Sequence, residues 1–289
     1  MSVTAVTKDA HAKINLGLNV VRKREDGYHE LEMVMAPIDL HDLIYINKQE
    51  EDGITITTDS PIMPTDETNI MYKAAKLMKE RYGITQGINM HVYKHIPMQA
   101  GLAGGSTDCA AVLRAINTLF HLHLSLDELA VIGKELGADV PFCIYEKMAF
   151  VGGIGEKLDF IDSKINGEYI LLVKPKKGVS TKKSFGMLDI PQEIHPDVSI
   201  LKEAVASGDY DTMVHHCENT LQRVSTEIVP QIDTIIHDLK KFGFDVAIMS
   251  GSGSCCFGIT KDEQLANQAM EYFRKKRYFS IVTHLYNGD

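Results

Sequence analysis

The interpretation of this chain rests on one stretch of its 289 residues, Lys94-His95-Ile96-Pro97-Met98-Gln99-Ala100-Gly101-Leu102-Ala103-Gly104-Gly105-Ser106-Thr107-Asp108. It follows a β-rich run, Ile88 to Tyr93, and precedes a helical pattern that begins near Ser106. Glycines let the backbone approach a ligand closely, and the start of a helix offers unpaired N–H groups and a partial positive charge. The stretch therefore predicts an anion site between a strand and a helix, and phosphate is the common occupant of such sites.

The glycine spacing excludes two familiar nucleotide-binding loops. No Gly-Lys-Ser or Gly-Lys-Thr follows the glycines, which excludes a Walker A loop, and Gly101, Gly104 and Gly105 do not fit the G-x-G-x-x-G spacing of a dinucleotide fold. If the stretch binds phosphate, the hydroxyls of Ser106 and Thr107 are candidates for a phosphate contact or for holding Mg²⁺. The alternative is a glycine turn without a ligand, in which Ser106 or Thr107 is an ordinary helix N-cap.

On both sides of this stretch, the hydrophobic pattern predicts strands and helices. Apolar residues alternate from Ile14 to Val20, which is the period of a half-buried strand. Residues 69–82 have a helical pattern with Gly83 as its stop. Ser125 and Glu128 predict a capping box at the start of a further helix.

That helix is expected to end at Gly137, in the left-handed conformation common at helix ends. Beyond Gly155 the chain alternates strands with helices, so the sequence as a whole predicts an α+β fold. We place a domain boundary near residue 160. The N-terminal domain then covers 1–160 and the C-terminal domain 161–289.

The charge of the chain argues against nucleic acid as a partner. The formal net charge is -9 at pH 7, whereas duplex binding is driven by neutralising phosphates with Lys and Arg. A negative chain still binds a nucleotide when backbone N–H groups and one or two cations are placed locally. The global charge therefore speaks against DNA and leaves ATP open.

The cysteines and the N-terminal segment predict a cytoplasmic protein. An odd number of scattered cysteines does not fit a disulfide framework. Residues 1–9 contain no apolar core of the signal-peptide type, and no run approaches the roughly 18 apolar residues of a membrane span. We expect a soluble monomer or homodimer with no membrane partner. The five cysteines are Cys109, Cys143, Cys217, Cys255 and Cys256.

Three other segments add candidate reactive groups. In Ala12-Lys13-Ile14-Asn15-Leu16, the side chains of Lys13 and Asn15 are expected on the same side of a strand. In Gly137-Ala138-Asp139-Val140-Pro141-Phe142, Asp139 follows a helix end. Gly251-Ser252-Gly253 is a second glycine-rich turn after a strand.

Together these segments resemble the motifs of the GHMP kinase superfamily, which are an N-terminal lysine strand, a Pro-x-x-x-Gly-Leu-x-x-Ser-Ser-type loop and a C-terminal glycine-rich loop. Arg24-Glu25-Asp26-Gly27-Tyr28-His29-Glu30-Leu31 and Gly153-Ile154-Gly155-Glu156 resemble one branch in particular. That branch phosphorylates a methylerythritol that carries cytidine diphosphate, in the non-mevalonate route to isoprenoid precursors. The resemblance runs from about residue 10 to residue 258.

The resemblance implies a two-domain GHMP kinase fold with the active site in the cleft between the domains. The N-terminal domain would be ribosomal S5 domain 2-like, with the nucleotide-binding and catalytic groups, and the C-terminal, substrate-binding domain would be α/β-plait-like. Two alternatives remain. The chain is a GHMP kinase for another small alcohol, or it is a regulatory protein that has the fold without the catalysis.

The resemblance also implies roles for individual residues. Asp139 would take the proton from the 2-hydroxyl of the substrate, and Lys13 would keep Asp139 ionised and steady the hydroxyl or the moving phosphoryl group. Asn15 would orient the substrate. Mg²⁺-ATP would be the donor, with Ser106 as a candidate metal contact. The ATP phosphates would be wrapped by Pro97, Met98, Gln99, Ala100, Gly101, Leu102, Ala103, Gly104, Gly105, Ser106 and Thr107.

Three side chains would recognise the cytosine ring of the acceptor. Tyr28 and Phe185 would sandwich it and His29 would hydrogen-bond its edge, because aromatic stacking recognises a base without demanding charge. The alternatives are that Tyr28 is hairpin packing and Phe185 a core residue. For the two catalytic candidates, the alternatives are that Asp139 caps a turn and that Lys13 is an ordinary surface lysine.

The sequence departs from the superfamily pattern at a few positions. His11 stands where proline is frequent before Ala-Lys, and Thr107 replaces the second serine of the loop. Ser254 and Cys255 follow Gly253 where proline and a threonine-like residue are usual. These departures bear on nucleotide affinity and remove no residue that the reaction needs.

Overall fold

The structure of the chain is a computed structural model that describes residues 4–288. Residues 1–3 belong to the N-terminal segment in which the sequence predicts no signal peptide, and they lie outside that range. No helix within 4–288 is both long and apolar enough to cross a bilayer. The elements, in chain order, are β1 (Ala5–Lys23), β2 (His29–Gln49), β3 (Ile54–Thr58), α1 (Ile70–Tyr82), β4 (Gly87–Tyr93), α2 (Gly104–Leu119), α3 (Leu126–Leu136), α4 (Val140–Tyr145), β5 (Ala149–Gly153), β6 (Lys157–Phe160), β7 (Tyr169–Lys174), α5 (Thr181–Gly186), a 3₁₀ turn (Ile190–Gln192), α6 (Val198–Ser207), α7 (Tyr210–His216), α8 (Gln222–Ile228), α9 (Gln231–Phe242), β8 (Val246–Met249), β9 (Cys256–Thr260), α10 (Glu263–Lys275) and β10 (Phe279–Thr283).

The chain forms two compact units, each assembled from several segments. The first unit comprises residues 4–12, 40–96 and 103–146, and the second comprises residues 13–39, 97–102 and 147–288. β1 and β2 therefore contribute residues to both units. The domain boundary near residue 160 stays a prediction.

The first unit contains a sheet and the helices α1 to α4. The second half of β2 pairs antiparallel with β4, from Leu43 opposite Tyr93 to Gln49 opposite Gly87, and β3 lies parallel to β4. α1 packs against α2 and β3, and α2 also packs against α3 and α4. Ten of the 16 residues of α2 are buried, so this helix forms the centre of the unit.

Local sequence signals set the ends of two of these helices. Asn69 caps α1 by accepting a hydrogen bond from the N–H of Met71, and Gly83 ends the helix with a φ of 62°. The predicted capping box of Ser125 and Glu128 is confirmed at the start of α3. The expected left-handed end at Gly137 is wrong: its φ is -178°, which is extended backbone, because the chain enters α4 within three residues.

The second unit contains two sets of strands. The first half of β2 pairs antiparallel with β5, with Leu31 opposite Gly153, and β5 pairs in turn with β6. A separate antiparallel sheet has the order β10-β7-β9-β8, and α9 and α10 pack against it. All residues of β8 and β9 are buried, which explains why these strands read as apolar runs without alternation.

Candidate active site

Lys13 is buried in β1. It is 5% exposed, and its Nζ donates to Asn15 Oδ1 at 2.6 Å and to the Gly101 carbonyl at 3.1 Å. Its backbone N–H donates to the Leu102 carbonyl at 3.2 Å. The surface-lysine alternative is therefore wrong, because the ammonium group is held against the glycine loop.

The side chain of Asn15 fixes the position of that ammonium group. Asn15 is 1% exposed. Its Oδ1 accepts from Lys13, its Nδ2 donates to Met33 Sδ at 3.3 Å, and its backbone N–H donates to Ser250 Oγ at 3.3 Å. Both ends of the amide thus have protein partners. A direct contact of Asn15 with a substrate stays a prediction.

The carbonyl groups of the glycine loop face the protein. The Ala100 carbonyl accepts from the N–H of Cys255 at 3.1 Å. The Gly101 carbonyl accepts from Ser250 Oγ at 3.1 Å, in addition to the ammonium group of Lys13. Two consecutive carbonyls of the loop are thus bonded within the protein and do not face a ligand.

Positive φ angles bend the loop at three of its residues. They are 52° at Gln99, 76° at Gly101 and 58° at Ala103. A Cβ atom on Gly101 would lie 2.1 Å from the Ser250 carbonyl oxygen and 2.9 Å from the Gly253 nitrogen. Only glycine fits at position 101, because the left-handed backbone there comes with a close approach to the second glycine-rich turn.

The helix α2 starts directly after the loop and presents the N–H groups of its first turn. Thr107 N donates to the Ala103 carbonyl at 2.9 Å, so the N–H groups of Gly104, Gly105 and Ser106 precede the first bond within the helix. No acidic residue lies in this turn to offset its partial positive charge. The arrangement suits an anion.

The two hydroxyls of this turn have different surroundings. Thr107 is fully buried, and its Oγ1 donates to the His11 carbonyl at 2.6 Å. Ser106 is partly exposed. Both residues lie inside α2 and Ala103 occupies the N-cap position, so the N-cap alternative is wrong. Since the N–H and hydroxyl of Thr107 both have protein partners, its predicted phosphate contact would need those bonds to change.

Asp139 occupies the N-cap position of α4 and is partly exposed. Its side chain makes no capping hydrogen bond, although its carbonyl accepts from the N–H of Cys143 at 3.1 Å. The alternative of a turn cap is therefore not supported. A carboxylate without a capping role is suited to accept a proton from a bound group.

The structure brings His29 and Phe185 together. Their ring centroids lie 5.0 Å apart with an interplanar angle of 32°. Phe185 is carried by α5 and is partly exposed, while Tyr28 is 60% exposed, so neither is a core residue. Burial, with a smaller effect of Lys23, lowers the pKa of His29, which keeps its ring neutral at pH 7.

The second glycine-rich turn, residues 250–254, is held by residues that the sequence did not single out. Asn219 is 1% exposed, and its Nδ2 donates to the carbonyls of Met249 at 2.7 Å and Gly251 at 2.9 Å. Ser225 Oγ donates to the Ser252 carbonyl at 3.0 Å. No sequence signal links Asn219 with this turn, because 30 residues separate it from Met249.

The comparisons with known proteins extend over nearly the whole chain. The family model for the GHMP kinases N terminal domain matches residues 69–147, and the model for the GHMP kinases C terminal matches residues 201–278. The 4-diphosphocytidyl-2-C-methyl-D-erythritol kinase of Bacillus pumilus is 43% identical, over 98% of this chain and 92% of the relative. The enzyme of the same name from Enterococcus faecalis is 42% identical, over 91% of this chain and 93% of the relative.

Solved structures agree with these matches. A crystal structure of 4-(cytidine 5'-diphospho)-2C-methyl-D-erythritol kinase superposes with a TM-score of 0.82 at 29% identity, covering 98% of this chain and all of the other. The homoserine kinase of Cytophaga hutchinsonii superposes with a TM-score of 0.77 at 19% identity, over 98% of this chain and 95% of the other. The second likeness concerns the fold alone.

Proposed function

The chain belongs to the GHMP kinase family, and from this premise we propose that it transfers the γ-phosphoryl group of ATP to the 2-hydroxyl of 4-diphosphocytidyl-2-C-methyl-D-erythritol. The reaction is a step of the non-mevalonate pathway to isoprenoid precursors. The observation that carries the proposal is the identity of 42% to 43%, over at least nine-tenths of the chain, with kinases named for this substrate. We assign the enzyme to the cytoplasm, in line with its five cysteines, all of which are buried thiols outside any disulfide.

The ATP phosphates are assigned to the glycine loop and the first turn of α2, from Pro97 to Thr107. The N–H groups of Gly104, Gly105 and Ser106 precede the first helical bond. The turn lacks an acidic residue, and Gly105 is exposed. Backbone N–H groups at such a helix start bind phosphate through directed hydrogen bonds and the helix dipole.

Mg²⁺ accompanies ATP in this proposal, and Ser106 is the residue assigned to it. Its partly exposed hydroxyl is an oxygen donor of the kind that Mg²⁺ accepts. Within residues 4–288, no group of three or more His, Cys, Asp and Glu side chains is placed to hold a metal ion. The phosphates of ATP would supply further oxygen ligands, as is usual for Mg²⁺ in kinases. When bound, the metal would neutralise part of the phosphate charge.

The chemistry is assigned to Asp139 and Lys13. The carboxylate of Asp139 takes the proton of the 2-hydroxyl as the hydroxyl oxygen forms a bond to the γ-phosphorus. The bond from that phosphorus to the β–γ bridging oxygen breaks, and ADP leaves with the electron pair. Lys13 supplies positive charge to the hydroxyl or the moving phosphoryl group. Such transfers depend on alignment and charge stabilisation more than on covalent help.

Cytosine recognition is assigned to Tyr28, His29 and Phe185. The contact of the His29 and Phe185 rings supports it, since two of the three side chains named for one base are neighbours. The exposed ring of Tyr28 directly precedes His29 in the chain. In this assignment Tyr28 and Phe185 stack on the two faces of the base, and the neutral His29 bonds its edge.

The test is ADP release from Mg²⁺-ATP with the cytidylated methylerythritol, measured beside homoserine and mevalonate. We expect turnover with the cytidylated substrate alone. Asp139→Asn should lower kcat by about 100-fold or more, because it removes the proton acceptor. Asp262→Asn is the matched control, since Asp262 caps α10 and asparagine caps a helix equally well. Turnover with another alcohol would overturn the substrate assignment, and an active Asp139→Asn would overturn the role of Asp139.

A further inference from the structure

Three ionisable side chains form a buried charge cluster in the first unit. Lys94 Nζ donates to Asp108 Oδ2 at 2.7 Å and to Asp42 Oδ2. The side chains of Asp42, Lys94 and Asp108 are 0%, 8% and 4% exposed, respectively. None of the three has a role in the phosphoryl transfer described above.

The cluster is costly to bury. Two carboxyl groups share one ammonium group away from solvent, and buried Asp108 Oδ1 has no hydrogen-bond partner among residues 4–288. Burial raises the pKa of Asp108 well above its usual value, and the nearby Asp42 raises it further although Lys94 opposes the shift. Buried ion groups of this kind add little net stability over apolar side chains, so stability alone does not explain the cluster.

The cluster lies where the chain enters and leaves the glycine loop. Asp42 Oδ1 accepts hydrogen bonds from the N–H groups of His95 at 2.6 Å and Ile96 at 2.8 Å, the two residues before Pro97. Lys94 immediately precedes these residues. The entry to the loop is thus tied to Asp42 through three consecutive residues.

The exit of the loop is tied to the same ammonium group. Asp108 belongs to α2, which begins at Gly104, and its carboxyl holds Lys94. A Cβ atom on Gly104 would lie 3.0 Å from Ile96 Cγ2 and 3.7 Å from Lys94 Nζ. Entry and exit are therefore in close contact, and Lys94 bridges them.

We propose that Asp42, Lys94 and Asp108 are positioning residues for ATP, which hold residues 94–96 against residues 104–108 so that the first-turn N–H groups of α2 face the phosphates. The inference rests on the proposed function as an ATP-dependent kinase. It assigns the cluster an effect on nucleotide binding that a merely structural ion cluster would lack. The acceptor alcohol should be bound equally well with or without it.

The test compares two changes at Asp108. Asp108→Ala removes both carboxyl oxygens and releases Lys94, whereas Asp108→Asn keeps an acceptor for Lys94 in the same place. We expect Asp108→Ala to raise the KM for ATP by about 10-fold or more, with the KM for the acceptor within about twofold and kcat within about threefold. Asp108→Asn should restore the KM for ATP to within about threefold of the wild type. A calorimetric titration with a non-hydrolysable ATP analogue should show the same ratio in affinity.

Two further variants keep the test decisive if Asp108→Ala does not fold. Asp42→Asn retains the acceptor for the N–H groups of His95 and Ile96 and weakens only the bond to Lys94, so a rise of about threefold in the KM for ATP is expected. Glu193→Gln disrupts another buried carboxylate, bound by Arg223, and should leave the KM for ATP unchanged despite lost stability.

The outcomes separate this inference from the function itself. A wild type that releases no ADP with the cytidylated substrate overturns the proposed function. An active wild type overturns the inference alone if Asp108→Ala or Asp42→Asn binds the ATP analogue normally. The inference also fails if Asp108→Asn has as high a KM for ATP as Asp108→Ala. It fails too if Glu193→Gln raises the KM for ATP in proportion to its loss of melting temperature.

Discussion

The two glycine-rich turns of the molecule are supported by different chemistry. The turn at 250–254 is held by neutral groups, the amide of Asn219 and the hydroxyl of Ser225. The backbone on either side of the first glycine loop is held by the buried charge cluster. Neutral hydrogen bonds support a turn at any pH and are lost one at a time. The charge cluster depends on the protonation of its members and on all three being present.

The turns also differ in exposure. Residues 250–254 are all buried, whereas Gly105 and Ser106 at the start of α2 are exposed or partly exposed. The buried turn has its polar groups bonded within the protein and packs against Gly101. The exposed turn has the N–H groups that precede the first helical bond, and our proposal assigns these to phosphate. Similar glycine content therefore serves a structural contact in one place and, in the proposal, an anion site in the other.

Gly101→Ala, at the contact between the two turns, is expected to have the largest effect on stability. The free energy of unfolding should fall by about 3 kcal/mol or more, because a non-glycine residue at positive φ is strained and the new Cβ atom would collide with Ser250. Urea denaturation measures this loss. In Gly105→Ala the nearest atom to the new Cβ is Ile70 Cγ2 at 3.9 Å, so stability should be unchanged or raised by up to about 1 kcal/mol. Equal losses in both variants would contradict the contact.

Asn219→Ala removes the amide that holds the turn at 250–254, and we expect the free energy of unfolding to fall by about 2–3 kcal/mol. It leaves the buried carbonyls of Met249 and Gly251 without the donor that they share. Thermal or urea unfolding of the variant, with the exposed Asn166→Ala as control, gives the difference. A loss as small as that of the control would show that the amide does not hold the turn.

Because of the buried charge cluster, the free energy of unfolding should depend on pH, and Asp108→Asn should remove this dependence. Because the pKa of Asp108 is raised in the folded state, the unfolded chain ionises first, from near the usual value of 3.8 upward. Between that value and the folded pKa, the free energy of unfolding falls as pH rises, by up to about 1.4 kcal/mol per pH unit. Asn at 108 cannot ionise, so its stability relative to the wild type should rise with pH over this window. Urea unfolding of both proteins between pH 4.5 and pH 8 measures this difference. Parallel curves of unfolding free energy against pH would refute the prediction.

The smallest effect on stability is expected from Ser106→Ala, at most about 0.5 kcal/mol, because its side chain is partly exposed. The KM for ATP should nevertheless rise a few-fold if the hydroxyl contacts a phosphate or its metal.

Thr107→Val should have the opposite effect. Its free energy of unfolding should fall by about 1 kcal/mol, because the hydrogen bond to the His11 carbonyl is lost, while the KM for ATP should change little. Initial rates at varied ATP, with unfolding curves, distinguish the two hydroxyls.

The parts of the fold that local chemistry determines were predictable from the sequence. The predicted stop of α1 at Gly83 is confirmed, since a glycine stop acts within one turn, and the helix begins one residue later than predicted because Asn69 is its N-cap. α9 likewise begins at Gln231, directly after Pro230, because proline has no N–H to donate and is tolerated at the start of a helix. The six-residue helix Thr181–Gly186 gave no signal, because fewer than two turns do not establish a period.

The candidate site was predictable only where its residues are close in the chain. Lys13 and Asn15 are two residues apart in a strand, and their contact follows from the period of the strand. Asp42 is 52 residues from Lys94, and Ser250 is 235 residues from Asn15. Such pairings arise from tertiary packing, for which a single sequence carries no periodic signal.

The five cysteines offer internal reporters of local opening. All are buried, and burial raises the pKa of both Cys109 and Cys255, so the thiols of the folded protein should resist alkylation. Cys109 directly follows Asp108, and Cys255 directly follows the turn at 250–254. Pulsed alkylation read by peptide mass spectrometry would therefore time the opening of α2 at Cys109 and the release of the contact between the two turns at Cys255, in the unaltered chain and with or without ATP.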